Sequence, residues 1–208
     1  MESARSERVP NVSSGGGKEL SVEEIQDAQI GLLEWELEER DTQHGIEPLT
    51  GARRREVLVR ALDQSLKRIH GEGEHRGEGI SLIFIDLDRF KQVNDTHGHL
   101  TGDKVLQKIA GLLQGAIRGT DMLARYGGDE FAVFLPNTNE EHALRIAEKL
   151  RAALADDPEL KDLGITGSFG VCSSDVSTAT DSKTFIKQAD EATYLSKRAG
   201  GNKVEAYK

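Results

Sequence analysis

Three carboxylates and a lysine in this chain stand where they could handle a nucleotide. Asp86 ends the apolar run Ile80 to Asp86 (ISLIFID), and Asp129 and Glu130 follow directly on the two glycines of Arg125 to Phe131 (RYGGDEF). Adjacent carboxylates hold hard divalent cations, and glycines let a backbone and a ligand approach closely. With Lys91 as a phosphate-binding candidate, the set reads as a two-metal nucleotide site. Taken alone, Gly-Gly-Asp is also an ordinary hairpin turn.

The charge balance fits a site that holds phosphate locally. The 208 residues carry 36 acidic and 27 basic side chains, a net charge of −9, which repels polyanions and argues against a broad nucleic-acid surface. The single cysteine, Cys172, lies in the apolar ITGSFGVCSS and reads as a buried strand residue. The longest apolar stretches, Leu82 to Ile85 and Phe131 to Leu135, fall far short of the ~20 residues of a membrane helix. The start MESARSERVPN lacks a signal peptide's apolar core, so no membrane association and a cytoplasmic location are expected.

The elements that must position these residues follow from periodicity. Residues 1–20 read as a disordered tail, ending in Ser-Ser-Gly-Gly-Gly. Residues 21–45 hold a helix that opens on the capping-box spacing Ser21 to Glu24. Its stripe of Ile25, Ala28, Leu32 and Trp35 would pair with a second copy or lie on the following domain. Leu49 to His70 is expected to be helical, with Val57, Leu58, Ala61, Leu62, Leu66 and Ile69 on one face; the Gly-rich GEGEHRGEG breaks it. A buried strand over 80–86, a helix over 103–117 and two strands flanking Gly127–Gly128 come next. A helix over 140–154, a strand over 165–172, a helix over 182–198 and a last strand over 203–207 complete the chain. This order implies an α+β (α/β) fold, a mainly antiparallel sheet surrounded by helices and preceded by the N-terminal helix.

Four segments, IDLDRFKQVNDTHGHLTGDKVL, ARYGGDEF, TGSFGV and ADEATYLSKRAGGNKV, together resemble the GGDEF domain of diguanylate cyclases, over residues 46–208. The resemblance implies a homodimer that condenses two GTP into cyclic di-GMP and two pyrophosphates. It implies two Mg²⁺ ions per half-site, with Mn²⁺ as a substitute. The metal-binding positions would be Asp86, Asp129, Glu130 and the Leu87 carbonyl, with Glu130 also helping to deprotonate the attacking hydroxyl. Asn94 and Asp103 match the guanine-reading residues, and a carboxylate suits guanine N1–H and N2–H₂, an edge adenine does not offer. Phe90 and Lys91 match the turn that binds the β- and γ-phosphates, and Lys197 matches a second phosphate lysine. Arg118 to Asp121 matches RxxD, the inhibitory site for the cyclic product.

Each position also has a plainer reading. Asn94 could be a turn residue and Asp103 a helix N-terminal residue. Arg118 and Asp121 could be a surface ion pair. His97 and His99 could start a helix rather than bind zinc, since no third ligand sits at the right spacing.

One departure from the family stands out: Gly201 occupies the place of an arginine that touches the triphosphate. Such a contact is worth roughly 1.5 to 3 kcal/mol, and Arg198 or Lys203 are the substitutes nearest in sequence. An alternative is therefore a catalytically weak module that binds GTP or cyclic di-GMP as a receptor. A scaffold leaves the carboxylates unexplained, Asp103 disfavours adenine-containing products, and no phosphodiesterase motif is present.

Overall fold

The computed structural model of the chain describes residues 45–70 and 79–208. The expected tail over 1–20 and the N-terminal helix over 21–45 lie outside the described residues, apart from Gly45, as does most of the Gly-rich break after His70.

The sheet is built around β2 (Ser81–Asp88), in which Leu82, Ile83 and Ile85 are fully buried. A strand buried on both faces reads as a continuous apolar run, and here alternation assigns each residue a face. Leu82 and Phe84 meet α1 (Arg55–His70) and α6 (Ser182–Arg198). Ile83, Ile85 and Leu87 meet α3 (His99–Ala116) and α4 (Glu140–Asp156). By the same alternation Asp86 and Asp88 continue the α6 face.

The six strands run β1-β3-β4-β2-β5-β6. The three central pairings, of β3 (Met122–Arg125) with β4 (Glu130–Leu135), β4 with β2, and β2 with β5 (Thr166–Ser173), are antiparallel. The short edges, β1 (Arg53–Arg54) on β3 and β6 (Val204–Ala206) on β5, are parallel. The expected mainly antiparallel sheet with helices around it is what forms.

Local differences from the sequence reading have physical causes. The first helix begins at Arg55, not Leu49, because Gly51 turns at φ 72 and Arg53–Arg54 pair with β3. The central strand runs on to Asp88, so Asp86 is not its last residue. Phe90 and Lys91, expected in a turn, open the helix α2 (Phe90–His97), and the following helix starts at His99 rather than Asp103. A short helix, α5 (Pro158–Asp162), was not anticipated. Pro158 sits in its first turn, and the Asp157 carboxylate accepts from Glu159 and Leu160 N–H, a readable start signal.

The contact that sets α6 on the sheet is made at Gly170. A Cβ there would overlap the Ala189 carbonyl and the Thr193 backbone nitrogen, so the helix rests directly on β5. Thr193 Oγ1 completes the seam by donating to the Phe84 and Ala189 carbonyls at 3.2 and 3.0 Å. Gly170→Ala is expected to lower the urea midpoint, with a loss of about 2 kcal/mol or more because backbone must move. An unchanged midpoint would show that the seam is looser than this geometry.

Candidate nucleotide and metal site

The β2–β4 ladder ends with Asp86 opposite Glu130, and Ser168 of β5 faces Asp86 from the other side. Strand alternation points Asp86 and Glu130 to the α6 face. From the last turn of α6, Lys197 Nζ reaches Asp86 Oδ2 at 2.5 Å. Asp86 Oδ1 is buried with no hydrogen-bond partner among the described residues. Burial raises the Asp86 carboxyl above its ordinary range; Lys197 opposes this, and Asp129 and Asp88 add to it. Glu130 is raised as well, by burial first and then by Asp86, Asp129 and Asp190.

Such a knot of oxygen donors, short of positive charge, suits a hard divalent cation. Among the described residues no three acidic or imidazole side chains yet converge as a metal cage. The Lys197 ammonium holds the place beside Asp86 that a cation would take. The donor chemistry and the orphaned Oδ1 nevertheless fit the ion.

The hairpin between β3 and β4 is braced from several directions. Tyr126 and Gly127 N–H both bond the Glu130 carbonyl, and a Cβ on Gly127 would overlap the Glu130 carboxylate, which folds over it. Leu87 N–H bonds the Asp129 carbonyl at 3.3 Å just past the end of the ladder. Arg125 donates to the Gly128 carbonyl at 2.8 and 3.2 Å and pairs with Glu47 at 3.2 Å. Glu47 also accepts from Leu49 N–H, Thr50 N–H and Thr50 Oγ1. Tyr126 packs edge-on to Phe84 and under the Arg55 guanidinium.

A second knot lies on Asp88. Its carboxylate accepts from Thr166 Oγ1 (2.7 Å), Ser168 Oγ (2.8 Å) and Asn202 N–H (2.9 Å). A Cβ on Gly201, whose φ is 74, would come within 2.8 Å of this carboxylate, so glycine is required in this loop conformation. Arg151 holds the neighbouring Asn202 Oδ1 at 2.8 Å. Past Asp88, Arg89 caps α2 at φ 64 with no side-chain cap bond. The first backbone N–H groups of α2, those of Phe90 and Lys91 among them, therefore point outward without intrahelical acceptors. A cavity of about 670 Å³ opens here, with Leu87, Asp88, Arg89, Lys161, Lys197 and Gly201 in its wall. On the other side of Lys197, a cavity of about 550 Å³ is bounded by Asp86, Asp190 and Tyr194.

Asn94 and Asp103 are carried on the helical hairpin of α2 and α3, which turns at Gly98 (φ 83). Asn94 Oδ1 is buried without a partner among the described residues, and its amide lies so close over Gly102 that a Cβ there would overlap it. Lys91 is exposed. Arg118 and Asp121 sit apart from both cavities, in the turn before β3. There Asp121, 8% exposed, accepts from Arg118 N–H at 2.9 Å, so its carboxylate serves the turn rather than an ion pair. The Arg118 side chain is exposed, with no partner among the described residues. His97 ends α2 and His99 opens α3. Cys172 is buried in β5, and burial pushes its thiol up to about 12.

Three participants were missed in the sequence. Asp88 was legible from its i, i+2 spacing to Asp86, which places both on one face of the strand. Glu47 was legible as a turn former in Glu-Pro-Leu-Thr. Asp190 carried no local signal, because its field reaches Glu130 only through the docking of α6. No helix among the described residues is long and apolar enough to cross a membrane.

Burial alone would raise the Glu47 carboxyl, but the Thr50 and Leu49 bonds and Arg125 outweigh it and bring it from 4.5 to about 2. A depressed pKa stabilises the fold above the unfolded value and loses that contribution as pH falls toward 2. Glu47→Gln should therefore lower Tm at pH 7, with the gap to the parent narrowing below pH 4.5 and closing near pH 2. A gap independent of pH would mean that the charge of Glu47 is not what ties the hairpin.

Comparison with known proteins identifies the family. The family model described as diguanylate cyclase, GGDEF domain, matches residues 46–203. Diguanylate cyclase DgcP of Pseudomonas aeruginosa is 41% identical over 162 residues, 76% of this chain and 23% of that protein. Diguanylate cyclase DosC of Escherichia coli is 36% identical over 188 residues, 87% of this chain and 39% of that protein. The chain thus spans well under half the length of these relatives. Among solved structures, the coiled coil and GGDEF domain of Caulobacter crescentus DgcB, in complex with c-di-GMP, superposes with a TM-score of 0.71 at 29% identity. That match covers 87% of this chain and 95% of the other. The active GGEEF domain of a Vibrio cholerae diguanylate cyclase gives 0.67 at 33%, over 74% and 97%. The chain belongs to the GGDEF family of diguanylate cyclase domains.

Proposed function

We propose that this protein condenses two GTP molecules into cyclic di-GMP and two pyrophosphates, with one GTP held by each of two chains. The observation that carries the reading is Asp86 facing Glu130 at the end of the β2–β4 ladder, with one buried carboxylate oxygen left unpartnered.

Asp86, Asp129, Glu130 and the Leu87 carbonyl are assigned to hold divalent cations, Mg²⁺ or Mn²⁺, two per half-site. Bound there, the ions would neutralise triphosphate charge and raise the acidity of the attacking hydroxyl. The residues supply position and proton handling. Asn94 Oδ1 and the Asp103 carboxylate offer two acceptors to the N1–H and N2–H₂ groups of guanine. The α2 N-terminus at Phe90, with Lys91 and Lys197, receives the β- and γ-phosphates. With a cation bound beside Asp86, Lys197 would be free to pair with phosphate instead of the Asp86 carboxylate. Glu130, whose carboxyl burial and the neighbouring acids raise, takes the proton from the 3′-hydroxyl as that oxygen bonds the α-phosphorus of the other GTP. The α–β phosphoanhydride bond breaks and pyrophosphate leaves; the reciprocal attack closes the ring.

Because each chain holds half of the reaction, a device that keeps two copies together raises their effective concentration. The stripe of Ile25, Ala28, Leu32 and Trp35 is assigned that task. The DgcB structure, which contains a coiled coil as well as its GGDEF domain, supports this assignment. Arg118, exposed and held out by the turn that Asp121 closes, is assigned to grip the cyclic product and restrain the enzyme. A second reading, a module that binds nucleotide without turnover, rests on Gly201.

The deciding experiment incubates the full chain, freed of bound cyclic di-GMP, with GTP and Mg²⁺ and identifies the product. Cyclic di-GMP is expected, and Glu130→Gln should cut its rate about a hundredfold or more. Tm should hold or rise in that variant, since a mutually repelling charge is removed. Folded parent protein that binds GTP and makes no product supports the receptor reading instead. At dilute enzyme the rate per chain should climb with protein concentration; a flat profile would contradict the half-site arrangement.

A further inference from the structure

Gly201 brings no side chain to the cavity at the end of β2, yet that cavity is rich in positive charge. Three cations line it: Arg89 at the start of α2, Lys161 in α5 and Lys197 in α6. Lys197 is engaged with Asp86, whereas Arg89 and Lys161 have no partner among the described residues. Asp88, the acid in the wall, spends its carboxylate on three neutral donors and makes no ion pair with Arg89 or Lys161 among the described residues.

Arg89 is committed to this place by its backbone. It holds a left-handed φ of 64, uncommon for a residue with a side chain, where the strand ends and the helix begins. From there the guanidinium crosses toward the turn between α5 and β5, with Nη1 3.9 Å from where a Cβ on Gly164 would stand. Lys161 approaches the same space from α5. The substitutes nearest in sequence do not reach it. Arg198 lies over the Tyr194 ring, 6.0 Å from its centroid, and neither Arg198 nor Lys203 lines the cavity. A side chain at 201 would meet the Asp88 carboxylate, so in this loop conformation the missing cation cannot be supplied from that position.

We infer that Arg89 and Lys161 are further triphosphate-binding cations of this chain, beside Lys91 and Lys197, taking the charge role that an arginine at position 201 has in the family. The inference rests on the nucleotide reading of the site and adds to it the residues that distinguish a nucleoside triphosphate from a monophosphate. A guanidinium fork and an ammonium lining one cavity suit a flexible polyphosphate, and the outward N–H groups of α2 add dipoles of the same sign.

The test measures equilibrium binding to the full chain with Mg²⁺, using a GTP analogue with a methylene bridge between the α- and β-phosphorus, and GMP. The Arg89→Ala/Lys161→Ala double variant is expected to bind the triphosphate analogue about tenfold or more weakly while its GMP affinity stays within about twofold. Arg89→Lys should recover part of the loss. Arg145→Ala, which removes an exposed cation on α4, should change neither affinity. Should the alanine variant not fold, Arg89→Gln/Lys161→Gln makes the same measurement with longer side chains. Triphosphate affinity unchanged in the double variant, an equal loss for GMP, or a parent with no preference for the triphosphate would each overturn the inference. A parent that shows the preference, loses it in the double variant and yet makes no cyclic di-GMP would sink the cyclase reading and leave this one standing.

Discussion

Negative charge gathered at one buried edge is the constraint around which this domain is organised. Asp86, Asp129 and Glu130 lie near one another where the β2–β4 ladder ends, and burial and the neighbouring acids raise the carboxyls of Asp86 and Glu130. A protein tolerates such a cluster only if something supplies positive charge. In this structure Lys197 does so, on one oxygen of Asp86, and leaves the other without a partner. The site is incomplete in electrostatic terms, with more carboxylate charge than the one ammonium beside it offsets.

Holding the carboxylates together requires a rigid frame, and β2 provides it. Packed on both faces and paired on both edges, the strand has little freedom to withdraw Asp86. The α6 seam at Gly170 sets the height of Lys197 over it. On the hairpin side, the chain from Glu47 through Arg125 to the Gly128 carbonyl links the first described residues to the turn that presents Asp129 and Glu130. This link is short and charge-assisted, and it ties Glu47 to the hairpin that carries Asp129 and Glu130.

Asp88 fixes one wall of the cationic cavity by taking three donors from β5 and the 200–202 loop, and it occupies the space a side chain at 201 would need. Gly201, Arg89 and Lys161 line the same cavity.

Much of this was legible in the sequence because it rests on local chemistry. The alternation in ISLIFID, the glycines before Asp129 and Glu130, and the order of strands and helices each depend on residues close in the chain, and they determined the family, the sheet type and the carboxylate set. Other features arise from packing between distant segments. Periodicity could not show that Leu49 to Arg54 turn and pair instead of extending α1, because the partner strand β3 lies far along the chain. Nor could it place Asp190 beside Glu130, Asp88 against Gly201, or Arg89 and Lys161 around one cavity. Burial, pairing and charge proximity at those places are set by how α6, the 200–202 loop and α5 come back over the end of β2. The sequence by itself determined which groups the protein has for chemistry; only the tertiary structure decided which of them share a space, since electric fields and close contacts act across distance in space and not along the chain.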